Sequence, residues 1–148
     1  MEIKNRRGLF KYKIEQTYIC GIELKGTEVK SVRLKMLDLT SSYVIITKRL
    51  EAMLNNMVID PYDKTSPFVT NTKDRQRRLL LRKKEINKIF GLVHKTGKTI
   101  VPVKIFINSK NLVKLEIAVV SPLKLYDKRQ QIKERDITRY QKKHAGDI

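Results

Sequence analysis

Thr99-Ile100-Val101-Pro102-Val103-Lys104-Ile105-Phe106-Ile107-Asn108 and Leu112-Val113-Lys114-Leu115-Glu116-Ile117-Ala118-Val119-Val120 flank the joint Asn108-Ser109-Lys110-Asn111. The arms are rich in β-branched residues and the joint is turn-forming, so the stretch reads as a β-hairpin. Lys114 lies between inward-facing Val113 and Leu115, so strand alternation points its side chain outward, fit for a phosphate contact. Pro102 cannot donate a ladder hydrogen bond, which places its strand at an edge or at a bulge there.

Working outward from the hairpin, further short β-type runs are Phe10–Glu15, Thr17–Leu24, Tyr43–Thr47 and Ala52–Ile59. A helix is expected from a cap at Thr72 or Asp74 through Lys95, ended by Gly97. In it Leu79, Leu80, Ile86, Ile89, Phe90 and Val93 recur at helical spacing, amid Arg75, Arg77, Arg78, Arg82, Lys83, Lys84 and Lys88. A shorter helix is expected at Thr27–Lys35, entered through Gly26, with Val29 and Val32 inward. Several antiparallel strands, one intervening helix and a basic surface give a mainly β fold. The expected architecture is an OB-type antiparallel β-barrel with flanking short helices and a basic C-terminal tail.

The chain has 148 residues, a size for one domain, and its 41% apolar content suffices for a core. With 33 Lys+Arg against 15 Asp+Glu the net charge is +18, which calls for a polyanionic partner. Residues 1–120 hold 25 basic and 11 acidic side chains, a net +14, and 121–148 hold 8 and 4, a net +4. Leu123, Leu125, Ile132, Ile137 and Ile148 form no stripe at either period, so residues 121–148 cannot bury a face alone. The expected division is a folded RNA-binding body at 1–120 and a basic tail at 121–148. No apolar run reaches membrane-spanning length and no signal-peptide pattern opens the chain, so a cytoplasmic location with no membrane contact is expected.

Little in the sequence points to catalysis. The single cysteine, Cys20, sits in an apolar strand as a small hydrophobe, and His94 and His144 lie fifty residues apart. No cluster has metal-ligand spacing, and no cofactor is expected. Gly91-Leu92-Val93-His94-Lys95-Thr96-Gly97-Lys98-Thr99 departs from a phosphate-binding P-loop, with five residues between its glycines where four are needed. It also leaves a helix to enter a strand, the reverse of what that loop requires. The reading is a binding protein, not an enzyme.

Three stretches carry a resemblance. They are Gly26-Thr27-Glu28-Val29-Lys30-Ser31, then Arg78-Leu79-Leu80-Leu81 with Lys84-Glu85-Ile86, then Tyr126-Asp127-Lys128-Arg129 with Ile132-Lys133-Glu134-Arg135-Asp136. Asp38-Leu39-Thr40-Ser41-Ser42-Tyr43 and Pro61-Tyr62 add to them. In order and spacing the chain resembles the SsrA-binding protein (SmpB) family, the partner of transfer-messenger RNA in bacterial ribosome rescue.

The resemblance implies that the body holds the tRNA-like domain of that RNA and that the complex enters stalled ribosomes for trans-translation. The tail then occupies the small-subunit decoding centre and the empty mRNA channel, and elongation factor Tu takes part in delivery. It carries RNA-contacting roles to Asn5, Leu80 and Lys114, beside the segment containing Gly26, Glu28, Lys30 and Arg33. Arg75, Arg77 and Arg78 are RNA-binding candidates beside them, and for Lys30 and Arg33, otherwise a solvated helix face, local basic density is the argument. Two contact positions depart from the family pattern, with Ile19 in place of a glutamate and Phe10 in place of a histidine. Pro122 and Leu123 replace the glycine and lysine that commonly open the tail.

Glu28 taken alone has plainer readings, pairing with Lys30 or capping the short helix. Leu79-Leu80-Leu81 covers most of a helical turn, so at least one leucine must be exposed, where it can pack on an unpaired base. In the tail the ribosome-binding candidates are Lys124, Tyr126, Asp127, Lys128, Arg129, Lys133, Arg135 and Arg139, with Tyr126 offering stacking beside charge. The like-charge pairs Arg129/Lys133 and Arg135/Arg139 oppose a helix in the free chain, so the tail is expected to be disordered free and helical on the ribosome. The other reading, from composition alone, is a general ribosomal or single-strand RNA-binding OB protein.

Overall fold

A computed structural model describes residues 1–61 and 74–123. The hairpin forms as its alternation dictates, with β8 (Thr99–Ile107) antiparallel to β9 (Val113–Pro122). Asn108 closes the turn: its Oδ1 accepts from the Lys110 and Leu112 amides at 3.0 and 2.9 Å. Asn111 takes the left-handed conformation at φ 65°. The ladder slips one residue between Pro102 and Lys104, the bulge that a proline inside a paired strand requires.

The remaining strands close a ring. β1 (Glu2–Lys4), β2 (Tyr12–Ile22), β4 (Tyr43–Ile46), β5 (Ala52–Asn55) and β7 (Arg77–Leu80) join the hairpin in the order β1-β8-β4-β5-β7-β2-β9, and β9 returns to β8. β3 (Leu37–Asp38) and β6 (Val58–Ile59) form a separate short pair. Every pairing is antiparallel, the OB-type barrel that the strand pattern called for. β2 joins into one strand what the sequence divided at Gln16, and a bulge between Ile14 and Gln16 lets it curve around the ring. The Ala52–Ile59 run breaks at Asn56, whose φ of 62° turns the chain from β5 into β6.

Inward-facing side chains fill the ring, among them Val44, Leu54, Leu79, Ile105, Leu115 and Ile117. Among the described residues three short helices flank it. α2 (Gly26–Arg33) sets Val32 fully into the core, with Val29 only half-buried. α3 (Lys83–Thr96) inserts Ile89 and stops at Gly97, whose φ of 65° and amide bond to the Val93 carbonyl make a left-handed cap. α1 (Arg6–Leu9) covers a second, smaller cluster outside the barrel, where Leu9 and Tyr12 pack on Val101, Ala118 and Val120.

The expected long helix is shorter at its start. Residues Arg77–Leu80 form β7, paired with β5 and β2, and the helix begins only at Lys83. Arg77 and Leu79 face in while Arg78 and Leu80 face out, a period of two that a buried arginine disguised as polar helix surface. The proposed cap Thr72 lies outside the described residues. β9 runs to Pro122, which pairs with Tyr12, and the Leu123 amide bonds the Lys11 carbonyl at 3.1 Å. Residues Ser121 and Pro122, placed in the tail by composition, therefore complete a barrel strand.

Candidate nucleic-acid interface

Where β7, β2 and β9 meet, Leu80 pairs with Gly21 and Gly21 with Lys114. A side chain at position 21 would start 3.2 Å from the Leu80 Cβ, so glycine is what lets Leu80 lie across β2. The outward row bounds a cleft of about 290 Å³ lined by Gly21, Ile22, Leu24, Val29, Leu80, Asn111, Leu112, Val113 and Lys114. Leu80 is 51% exposed and Leu112 comparably so, giving an apolar floor beside one ammonium group. A single-stranded base can pack on such a floor while its phosphate meets the cation. Leu80 and Lys114, both named by the resemblance and 34 residues apart in the chain, thus come together in space. Their exposure follows from strand alternation, not from a crowded helical turn.

Behind the cleft lies a buried ionic cluster. Glu28, in the first turn of α2, accepts from the Lys25 amide at 2.8 Å. Arg77 donates to Glu28 Oε2 through Nε and Nη2, at 2.9 and 2.6 Å. Arg75 closes on the same carboxylate, its Nε bonding Oε2 at 3.1 Å and its Nη2 bonding Oε1. Arg77 Nη1 goes on to the Met57 and Arg75 carbonyls at 2.7 and 3.1 Å. Burial works most strongly against the Glu28 charge. The Arg75 hydrogen bonds, the Lys25 amide and Arg77 outweigh it together, leaving the carboxyl below its ordinary range. Of the two plainer readings of Glu28, the helix cap holds, and its charge is paired with Arg75 and Arg77.

The cluster redistributes the expected interface. Arg77 is 1% exposed and every guanidinium nitrogen is engaged or buried, so it is not available to RNA. Glu28 likewise is buried, leaving Arg75, with its side chain 24% exposed, as the cluster's surface. Arg78, Gly26, Lys30 and Arg33 are exposed. Asn5 is also corrected: it is 3% exposed, its Nδ2 donates to the Pro102 carbonyl at 2.8 Å and its Oδ1 accepts from the Gly8 amide at 3.2 Å. Its backbone amide bonds the Val103 carbonyl at 2.8 Å, so Asn5 stitches the β8 bulge to α1 and presents no side chain to a partner.

A second groove of about 600 Å³ opens at the other end of β2, between Arg7, Phe10, Lys11, Tyr12, Ser41 and Tyr43 among others. Phe10 sits there and the exposed Ile19 does not. Lys11 and Tyr43 were not read as site residues from the sequence, because the fold brings them together from positions 32 residues apart. Lys124, Tyr126, Asp127, Lys128, Arg129, Lys133, Arg135 and Arg139 lie outside the described residues. Cys20 is buried, its Sγ directed at the Leu115 carbonyl, and desolvation pushes its thiol up to about 12. Among the described residues no group of His, Cys, Asp and Glu could hold a metal ion.

A closed antiparallel barrel with an apolar, cation-edged cleft on its strand face is an OB-type nucleic-acid-binding module. Its family is specific: residues 2–147 match the model of the SmpB protein family, and the chain belongs to it. It is 44% identical over 132 residues to the SsrA-binding protein of Trichodesmium erythraeum (strain IMS101), covering 89% of this chain and 83% of that one. Identity is 46% over 136 residues to the SsrA-binding protein of Oenococcus oeni (strain ATCC BAA-331 / PSU-1), covering 92% and 86%. A solved chain from "tmRNA-SmpB: a journey to the center of the bacterial ribosome" superposes with a TM-score of 0.69 and 38% identity, over 92% of this chain and 94% of that one.

Proposed function

We propose that this protein binds the tRNA-like domain of transfer-messenger RNA and brings it to stalled ribosomes for trans-translation. It acts by binding and makes or breaks no covalent bond. The observation that carries the reading is the convergence of Leu80, Lys114 and the start of α2 on one cleft. Arg78, Lys30 and Arg33 are exposed cations on β7 and α2, the elements that carry Leu80 and Val29 to the cleft, and Arg75 has an exposed edge. Glu28, Arg77 and Asn5 contribute by holding these elements in place.

The barrel, through Pro122, is the RNA-binding body. Residues 124–148 supply the second function, occupying the decoding centre and mRNA channel of the small subunit through Tyr126, Asp127, Lys128 and Arg129, then Lys133, Arg135 and Arg139. Lys124 joins the two parts. Elongation factor Tu accompanies the delivery complex, and the work is done in the cytoplasm. Among the described residues no helix is long and apolar enough to cross a membrane.

Competition binding tests the reading. Labelled transfer-messenger RNA should be retained against a large excess of bulk tRNA, whereas equal competition would support a general RNA-binding OB protein instead. A chain ending at Leu123 should keep that affinity and lose peptide tagging in a translation extract. Joint loss of both would refute the division of labour.

A further inference from the structure

The outer face of α3 is set apart from the rest of the surface by its charge and by a glycine. At 100° per residue, Lys84, Lys88, Gly91 and Lys95 fall within an arc of about 60°, and the row runs about 16 Å along the helix. The three lysines are exposed. Among the described residues none of them is paired with a carboxylate, while Lys98 meets Glu15 at 3.7 Å and Lys104 meets Glu2 at 2.8 Å. The one acid of α3, Glu85, is turned half into the structure and accepts from the Arg82 amide at 3.4 Å. On the flank of the row Phe90 and His94 stack, ring centroids 5.4 Å apart.

Gly91 stands in the middle of this row. Glycine weakens a helix interior more than any residue but proline, so it needs a reason. Among the described residues there is none: its backbone is ordinary helix, and a Cβ built there meets nothing within 4 Å. What the glycine leaves is a shallow gap between cations, at which another backbone can approach closely. Nor is Lys84 beside Lys88 a choice made for the helix, because like charges at i,i+4 oppose it.

Along the chain the row follows directly on the cleft. β7 ends at Leu80 on the cleft wall, and α3 starts three residues later with Lys84 in its first turn. We propose that the outer face of α3, with Lys84, Lys88 and Lys95 set around Gly91, is a docking surface for the phosphate backbone of the same transfer-messenger RNA that the cleft holds. This rests on the function proposed above. The strand leaves the cleft at Leu80 and follows α3, each lysine displacing counterions and Gly91 admitting the closest approach.

The test uses the full chain and fluorescently labelled transfer-messenger RNA titrated at several salt concentrations. Lys84→Ala/Lys88→Ala/Lys95→Ala should lower the slope of log affinity against log salt by about 2–3 units, with an unchanged melting temperature. A control that removes equal charge elsewhere, Lys13→Ala/Lys48→Ala/Arg49→Ala, should leave the slope within about half a unit. Gly91→Gln should melt no lower than the parent yet bind at least about tenfold more weakly, because a side chain fills the gap. Leu80→Ala reports on the cleft independently. A triple lysine variant with the parent slope, or Gly91→Gln with parent affinity, overturns the α3 proposal even if Leu80→Ala weakens binding. If Leu80→Ala binds normally while the slope falls, the cleft reading fails and the α3 surface stands. A triple variant impaired only in ribosome association assigns the face to ribosomal RNA and overturns the proposal.

Discussion

Arg75 and Arg77 converge on one buried carboxylate, whereas Lys84, Lys88 and Lys95 face solvent along α3 with no carboxylate partner among the described residues. The two groups lie within about twenty positions of each other in one basic stretch. They differ in hydration. A guanidinium is weakly hydrated and presents a planar fork that matches a carboxylate, so it can be taken inside when Glu28 receives it. A lysine ammonium holds its water and stays out, available to a polyanion. Positive charge in this protein therefore serves two ends, fastening α2 to β7 in one place and attracting RNA in another.

Removing the acid from the buried group is the severest way to break that contrast. Glu28→Ala removes the carboxylate that receives Arg77 inside the barrel wall, and should cost about 3–5 kcal/mol in urea unfolding at neutral pH. Losing all three α3 lysines should shift stability by no more than about 0.5 kcal/mol per site. Equal losses from the two changes would show that Glu28 is not a structural clamp.

Leu80→Ala sharpens the contrast from the binding side. Leu80 is half exposed, so its removal should hardly affect unfolding. RNA affinity should fall by about 1–2 kcal/mol, roughly five- to thirtyfold, as apolar contact with a base is lost. Unaltered affinity would move the RNA off this cleft.

Acid provides a subtler separation. The Glu28 carboxyl titrates below its ordinary value of 4.5 in the folded protein. Its ionised form is therefore favoured by folding, and that contribution is complete above the unfolded value and lost as pH falls through the depressed folded one. Melting temperature should drop more steeply below about pH 4.5 in the parent than in Glu28→Gln, narrowing the gap between them. Parallel pH profiles would exclude the ionised clamp. The smallest expected effect is that of Lys114→Ala, which should reduce the salt slope of RNA binding by somewhat under one unit and leave unfolding unchanged.

Much of the frame could be read without coordinates. The hairpin of β8 and β9, the bulge at Pro102, the entry of α2 at Gly26 and the stop of α3 at Gly97 all depend on local chemistry. Lys114 was also legible as an outward residue, from simple alternation, whereas Leu80 was one of three leucines of which only some had to be exposed. Arg77 and Asn5 were not legible. Each reads as surface by type, and each is buried because its partners come from far along the chain, Glu28 49 residues before Arg77 and Pro102 97 after Asn5. The misplaced start of α3 has the same origin, for Arg77–Leu80 shows its period of two only once Arg77 is known to face inward.

By itself, then, the sequence determined a mainly β fold, a strongly basic surface, the turns and helix ends, and through its motifs the family. These depend on neighbours within a few residues, or on sums over the whole chain. Only the tertiary structure decided which cations are fasteners and which are free to meet RNA, and that Gly21 allows Leu80 to lie beside Lys114. The physical reason is that burying a charge is unfavourable unless a partner and its hydrogen bonds are already in place, and those partners are assembled by the closure of the barrel.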